Sequence, residues 1–306
     1  MLKLKLSVIL CILIQQILMA HNKPQWEPKK TFVADSSTTI NYEVIGSGKQ
    51  AILFLPGFGL SLYSWDKIKN GFDTTKHTLY FIDLKGFGFS SKNIDTSYSP
   101  EDQSKIIIQF LDSQKIHSVT LIGHSYGGLV SLYLQYYISK NKINIHVDKL
   151  ILIDAPAYED AKPFFVTALR NPILNFIGLR ILTPKINAKT TIRKTFFDSK
   201  KGIEEYLGLY SFFYSLKGSY DAMSLIAKQI IPTRINEVVD SYKLIDIPTL
   251  IIWGKEDELI DIKYGYKLHN DIKNSVFETV ENCGHVPHEE KPIETSKIIL
   301  NFLNQK

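Results

Sequence analysis

Ser125 stands in Gly123-His124-Ser125-Tyr126-Gly127, between the β-branched apolar run Val119-Thr120-Leu121-Ile122 and the helix-like stretch from Leu129 to Tyr137. A strand, a glycine-flanked serine and a helix put the hydroxyl on a sharp turn, because a side chain at either glycine would clash where strand meets helix. The helix N-terminus behind the turn supplies N–H groups and positive potential where an oxyanion would form. A glycine-rich strand-to-helix turn with an incidental serine would show the same five residues, so the partners decide the matter.

A serine hydroxyl is a poor nucleophile near neutral pH and needs a base to take its proton, usually an imidazole held in one tautomer by a carboxylate. The isoleucine-rich run Ile247 to Trp253 predicts a buried strand that ends in Gly254-Lys255-Glu256-Asp257-Glu258, a turn carrying three carboxylates. A short predicted strand, Ser275 to Val280, leads to Glu281-Asn282-Cys283-Gly284-His285-Val286-Pro287. His288 follows three residues on, but Pro287 and the helix-like residues from Glu289 place it at a helix start, which favours His285. His124 reads as a packed or polar-contact residue rather than a base. Serine, acid and histidine therefore follow one another along the chain, each just past a predicted strand, where open α/β sheets collect their catalytic groups.

The elements that must position them alternate. A hairpin near residues 31–45 precedes Ala51 to Leu55, a helix after Ser61, Thr78 to Asp83, a helix from Ser99, Val119 to Ile122 and Lys149 to Ile153. Ser99-Pro100-Glu101-Asp102 has a serine cap, a first-turn proline and acids near the positive end of the helix. Such alternation implies an α/β protein with a mostly parallel sheet covered on both faces. A chain of 306 residues, 44% hydrophobic, can bury one large core.

These features make the chain resemble the α/β-hydrolase superfamily, in its lid-bearing, single-domain form with a Ser-Asp-His triad. The resemblance covers about residues 31–305. It rests on G-x-S-x-G at Ser125, W-G-x-x-D at Asp257, G-H-x-P at His285 and the loop Asp83-Leu84-Lys85-Gly86-Phe87-Gly88-Phe89-Ser90, which is similar to the family's structural D-x-x-G-x-G-x-S loop. It implies an eight-stranded, mostly parallel sheet flanked by helices, with a helical lid inserted after the sixth strand. It also implies Ser125 as nucleophile, Asp257 as acid in preference to Glu256 and Glu258, and His285 as base.

By the same resemblance the backbone N–H groups of Phe58 and Tyr126 form the oxyanion hole. Here the chain departs from the pattern of the family it resembles: Pro56-Gly57-Phe58-Gly59 has proline where that family usually carries histidine. Backbone donors do not require that imidazole, and Pro56 stiffens the loop by fixing its own φ.

The lid is expected at about residues 155–239, a stretch rich in aromatic residues such as Phe176, Phe196, Tyr206, Tyr210, Phe213 and Tyr214, and cut into short helices by Pro163, Pro172, Pro184 and Pro232. Most of these rings must pack the lid on the body, and the remainder would line an apolar pocket. The expected substrate is a small molecule, an ester of a small or medium apolar acid, cleaved through an acyl-enzyme. The same triad would serve an amide, a peptide with a free N-terminus or a carbon–carbon bond beside a ketone. A non-catalytic binding protein on this fold is the alternative from another class.

Residues 1–20 read as an export signal cut near Ala20, with Lys3 and Lys5 ahead of the apolar run Leu6 to Ile14. The domain then spans residues 21–306 in an exported protein, periplasmic or secreted; a membrane contact arises only if the leader stays as a tether. Removal of Cys11 with the leader leaves Cys283 as a lone, small buried residue without a disulfide partner. The formal charge of +5, reduced further by loss of Lys3 and Lys5, gives no ground for nucleic-acid binding. The lysine-rich stretch Lys185 to Lys201 reads as a solvated face. The histidines lack ligand spacing with cysteines or carboxylates, so no metal is expected, and no cofactor.

Overall fold

The computed structural model describes residues 25–95, 97–161, 163–171, 173, 181–231 and 234–305. The expected leader, Pro172, Phe176 and Pro232 lie outside them. In chain order the first strands are β1 (Lys30–Val33), β2 (Thr39–Ile45), β3 (Gln50–Leu55) and β4 (His77–Ile82). Helix α1 (Pro100–Ser113) leads to β5 (Ser118–His124), α2 (Tyr126–Asn141) and β6 (His146–Ile153). Among the described residues five helices follow: α3 (Phe164–Arg170), α4 (Pro184–Thr195), α5 (Ser199–Ser215), α6 (Ser219–Gln229) and α7 (Ile235–Ser241). The chain then returns through β7 (Thr249–Gly254), α8 (Lys263–Asp271), β8 (Ser275–Val280), α9 (Pro287–Glu290) and α10 (Pro292–Leu303).

The eight strands of the described residues form one sheet in the order β1-β2-β4-β3-β5-β6-β7-β8. The β1–β2 and β2–β4 pairs are antiparallel, and every other pair is parallel. The central strands are covered on both faces by helices, which is why β3, β5, β6 and β7 read as almost unbroken apolar runs. Phe54 of β3 stacks on Phe81 of β4 with ring centroids 4.4 Å apart, and presents its edge to Trp65 and Phe72. The expected α/β-hydrolase sheet is therefore present, with helices on both sides.

Helix α1 begins as its sequence predicts. Ser99 Oγ accepts from the Asp102 N–H at 3.2 Å, while Asp102 Oδ2 accepts from the Ser99 N–H at 3.1 Å, a reciprocal capping box.

Two expectations need correction. The helix after Ser61 is a pair of single 3₁₀ turns, Leu62–Trp65 and Lys69–Gly71. Its first N–H groups go to side chains, Leu62 to Asp83 and Tyr63 to Ser61, and the tight turn buries Leu62, Tyr63 and Trp65 together. Nor do prolines alone divide the insertion into short helices. Pro163 and Pro184 do stand at helix starts, but α5 runs for 17 residues, opened by the Asp198 cap and followed by Gly218 at φ 83°. Its length follows from an apolar face carrying Tyr206, Leu209, Tyr210 and Phe213, which packs inward.

Candidate active site

Ser125 sits between β5 and α2 with φ 49° and ψ −117°, a strained conformation held by its surroundings. Its N–H donates to the Ile153 carbonyl at 2.8 Å, and its own carbonyl accepts from Gly128 and Leu129. Neither glycine of the motif tolerates a side chain. A Cβ at Gly123 would lie 2.5 Å from the Gly127 carbonyl oxygen, and one at Gly127 would lie 2.1 Å from that of Leu55.

Residues 125, 257 and 285 converge from the ends of β5, β7 and β8. His285 Nε2 lies 2.8 Å from Ser125 Oγ, and His285 Nδ1 lies 2.7 Å from Asp257 Oδ2. With Nδ1–H donating to the carboxylate, Nε2 is left to accept from the serine hydroxyl. The second oxygen of Asp257 accepts from the Leu259 and Ile260 N–H groups at 2.7 and 3.0 Å, which aims the first at His285. Both side chains are almost wholly buried.

The rival residues are occupied elsewhere. Glu256 accepts from the Cys283 N–H at 2.9 Å, and the exposed Glu258 stands 4.0 Å from Lys194 Nζ. His288 is buried between Trp65 and His124, each ring 4.4 Å away, and burial pushes its pKa down to about 3. His124 Nε2–H donates to the His285 carbonyl at 2.8 Å, and burial holds its pKa well below the usual histidine range. Cys283 is buried, and its thiol is pushed up by that burial.

Asp154, at the end of β6, is a neighbour that sequence reasoning missed. It is fully buried at φ 47°, and its Oδ1 accepts from the Gly254 N–H at 2.9 Å. Burial first, then the adjacent Asp257 charge, raises its pKa well above the usual carboxylate range. Asp154, Asp257 and His285 bring ligand-type atoms within 4.8 Å of one another, but both ring nitrogens of His285 are already engaged by Asp257 and Ser125. Its signal was positional: an acid directly after a buried parallel strand, Ile153-Asp154-Ala155.

The loop after β3 lies against the serine. A Cβ at Gly57 would stand 2.6 Å from His124 Nδ1 and 3.3 Å from Ser125 Cβ, so glycine lets the Pro56–Gly59 backbone close on the elbow. Phe58, next in that loop, lines the same cavity as Ser125. Tyr126 opens α2, where the first N–H groups have no acceptor within the helix.

That cavity has a volume of about 290 Å³. Phe58, Leu60, Tyr210, Tyr214, Met223, Leu259 and Val286 give it a largely apolar wall. Asn187, Thr190, Thr191, Lys194 and Thr195 line it from one face of α4, at the spacing of successive helical turns. Helices of the insertion after β6 thus share one cavity with Ser125 and His285. Chemically, the arrangement can activate a hydroxyl, pass its proton through an imidazole to a leaving group and hold an apolar substituent beside it.

Comparison with known proteins agrees with this architecture. The family model for the alpha/beta hydrolase fold matches residues 50–176 and 194–292. An uncharacterized hydrolase, YugF, of Bacillus subtilis (strain 168) is 25% identical over 278 residues, covering 90% of this chain and 98% of its own. Monoacylglycerol lipase ABHD6 of Mus musculus is 29% identical over 266 residues, covering 83% of this chain and 76% of its own. The solved structure of an esterase from Exiguobacterium antarcticum superposes with a TM-score of 0.75 at 21% identity, covering 90% of this chain and all of that one, a likeness of fold.

Proposed function

Because the chain belongs to the α/β-hydrolase fold family, we propose that it is a serine hydrolase that cleaves carboxylic esters of small or medium apolar acids. The observation that carries this is the row from Ser125 Oγ through His285 to Asp257, at 2.8 and 2.7 Å, facing an apolar cavity of about 290 Å³. That volume lies at the small end of ligand sites, which suits a short to medium acyl group. Two similar proteins are called a monoacylglycerol lipase and an esterase, which supports an ester as the bond cleaved.

In this mechanism Ser125 Oγ attacks the carbonyl carbon as His285 Nε2 takes the hydroxyl proton, and Asp257 steadies the imidazolium. The Phe58 and Tyr126 N–H groups hold the oxyanion. Collapse breaks the ester C–O bond, and the departing alkoxide takes the proton from His285. A water then attacks the acyl-enzyme with His285 again as base, releasing the acid and restoring the serine. Residues 155–239 serve as the roof of the site within one domain of residues 21–306, and residues 1–20 as its export signal.

The test is Ser125→Ala. Turnover of a chromogenic short-chain ester and labelling by a fluorophosphonate should both vanish while the circular-dichroism spectrum is kept. Activity that survives the substitution would refute the nucleophile. A wild-type protein that takes aminoacyl amides or carbon–carbon substrates in preference to every ester would overturn the substrate class.

A further inference from the structure

Glu290 has no part in the proton relay, yet it is buried and accepts three backbone hydrogen bonds. Its Oε2 takes the Phe197 N–H at 3.1 Å and the Gly284 N–H at 2.8 Å, and its Oε1 takes the Asp198 N–H at 2.7 Å. Phe197 and Asp198 form the turn between α4 and α5, whereas Gly284 immediately precedes His285. One carboxylate therefore joins the insertion to the loop that carries the base. Hydrogen bonds to a charged acceptor are roughly twice as strong as neutral ones, and three converge here.

The same two segments meet at four further points. The His285 N–H donates to the Thr195 carbonyl at 2.7 Å. Tyr206 and Tyr210 of α5 donate to the carbonyl and the carboxyl of Glu289 at 3.2 and 2.6 Å. Gly284 is pressed so closely on the turn that a Cβ would lie 2.3 Å from the Thr195 carbonyl oxygen. Contacts of this density do not suit a cover that swings away at each turnover. Thr195 also lines the substrate cavity, so the helix that walls the cavity holds the backbone of the base.

We propose that the α4–α5 hairpin is the fixed mount of His285, and that Glu290 is the positioning residue that bolts mount to base. The inference rests on the serine-hydrolase reading above for its catalytic consequence. Loss of the bolt lets His285 drift from Ser125 while Phe58, Leu60, Met223 and Leu259 keep their places in the cavity's apolar wall. Misplacement of a catalytic group by 1 Å can cost on the order of 100-fold in rate.

The test uses the full chain with Glu290→Gln and Glu290→Ala. Expected is a fall in kcat of about 10- to 100-fold, with KM within about threefold of wild type. The fluorophosphonate labelling rate at Ser125 should fall in parallel, and kcat should fall by the same factor for short and medium acyl esters. Glu290→Gln should keep more activity than Glu290→Ala, since its amide oxygen still accepts from Phe197 and Gly284 while its NH₂ opposes the Asp198 N–H. A folded variant of either kind with kcat within twofold of wild type overturns the bolt.

Amide hydrogen exchange on the wild-type chain keeps the question open to refutation should both variants fail to fold. Phe197, Asp198, Gly284 and His285 should exchange slowly and as one set. If Phe197 and Asp198 exchange far faster than the other two, the hairpin swings and the mount is refuted. A wild-type chain that neither labels nor turns over any ester removes the hydrolase reading instead, and the exchange result still judges the mount.

Discussion

The Nε2–H of His124 donates to the backbone carbonyl of His285 across 2.8 Å, tying the residue before Ser125 to the residue whose imidazole faces it. Only a donor can bond to a carbonyl, so His124 carries its proton on Nε2, and burial keeps the ring neutral. Ser125 and His285 are thereby held in register by a bond from Ser125's neighbour to the His285 backbone as well as by the bond between their own side chains.

His124→Leu should lower kcat about tenfold with little change in KM, because it removes the donor and leaves the His285 carbonyl unpaired. His124→Gln, whose amide NH₂ reaches the position of the ring nitrogen, should restore most of the rate. Steady-state kinetics on one chromogenic ester decides it: equal rates for the two variants would show that the donor does not matter.

Asp257→Asn should lower kcat by about 10³- to 10⁴-fold while leaving the fold intact. An amide NH₂ facing His285 Nδ1 would favour the tautomer that places the proton on Nε2, where it cannot accept from Ser125. Glu256→Gln, which removes a charge but keeps an oxygen to accept from the Cys283 N–H, should stay within about threefold of wild type. A comparable loss in both would move the acid away from residue 257.

Glu289 sets a pH dependence of stability. Its carboxyl is fully buried, accepts from Tyr210 at 2.6 Å, and is pushed up to about 8, chiefly by burial. A raised folded pKa means that its stabilising contribution is whole below the ordinary value of 4.5 and is lost as pH climbs to about 8. Glu289→Gln keeps an acceptor for Tyr210 and cannot ionise. Wild type should therefore lose stability relative to this variant between pH 5 and pH 8, by an amount on the order of a few kcal/mol. Thermal unfolding of both proteins at three pH values measures the gap, and a gap that does not move with pH would contradict the assignment.

Much of the fold was legible because its signals are local. β8 spans Ser275–Val280, the bounds the sequence predicts, and α1 starts at Pro100 as its cap predicts. The serine turn was readable from two glycines whose close neighbours lie within a few residues or on the adjacent strand. The Asp83 loop, read as structural, proves to be so. Asp83 accepts from Asn41, Leu62 and Phe89, and a Cβ at Gly88 would lie 2.0 Å from its carboxyl carbon.

The illegible parts depend on distant partners. Nothing near Glu290 in the chain distinguishes it from Glu289, yet one accepts three backbone N–H groups and the other a tyrosine. Asp154 becomes a neighbour of Asp257 only because β6 and β7 pair in parallel register. The solvated face expected at Lys185 to Lys201 is largely exposed, but Lys194 and Thr195 turn to the cavity, a consequence of how α4 packs on α5.

By itself the amino-acid order determined which residues end strands, where the elbow bends and which helices are capped, because these depend on backbone sterics and hydrogen bonds a few residues apart. Only the tertiary structure decided which carboxylate meets the imidazole, which histidine stays a neutral donor and how the insertion grips the loop of His285. Those choices are made by burial and by pairing between residues 28 apart for Asp257 and His285, 93 for Phe197 and Glu290 and 161 for His124 and His285, where a polar group's partner is whatever the packed core leaves within hydrogen-bond reach.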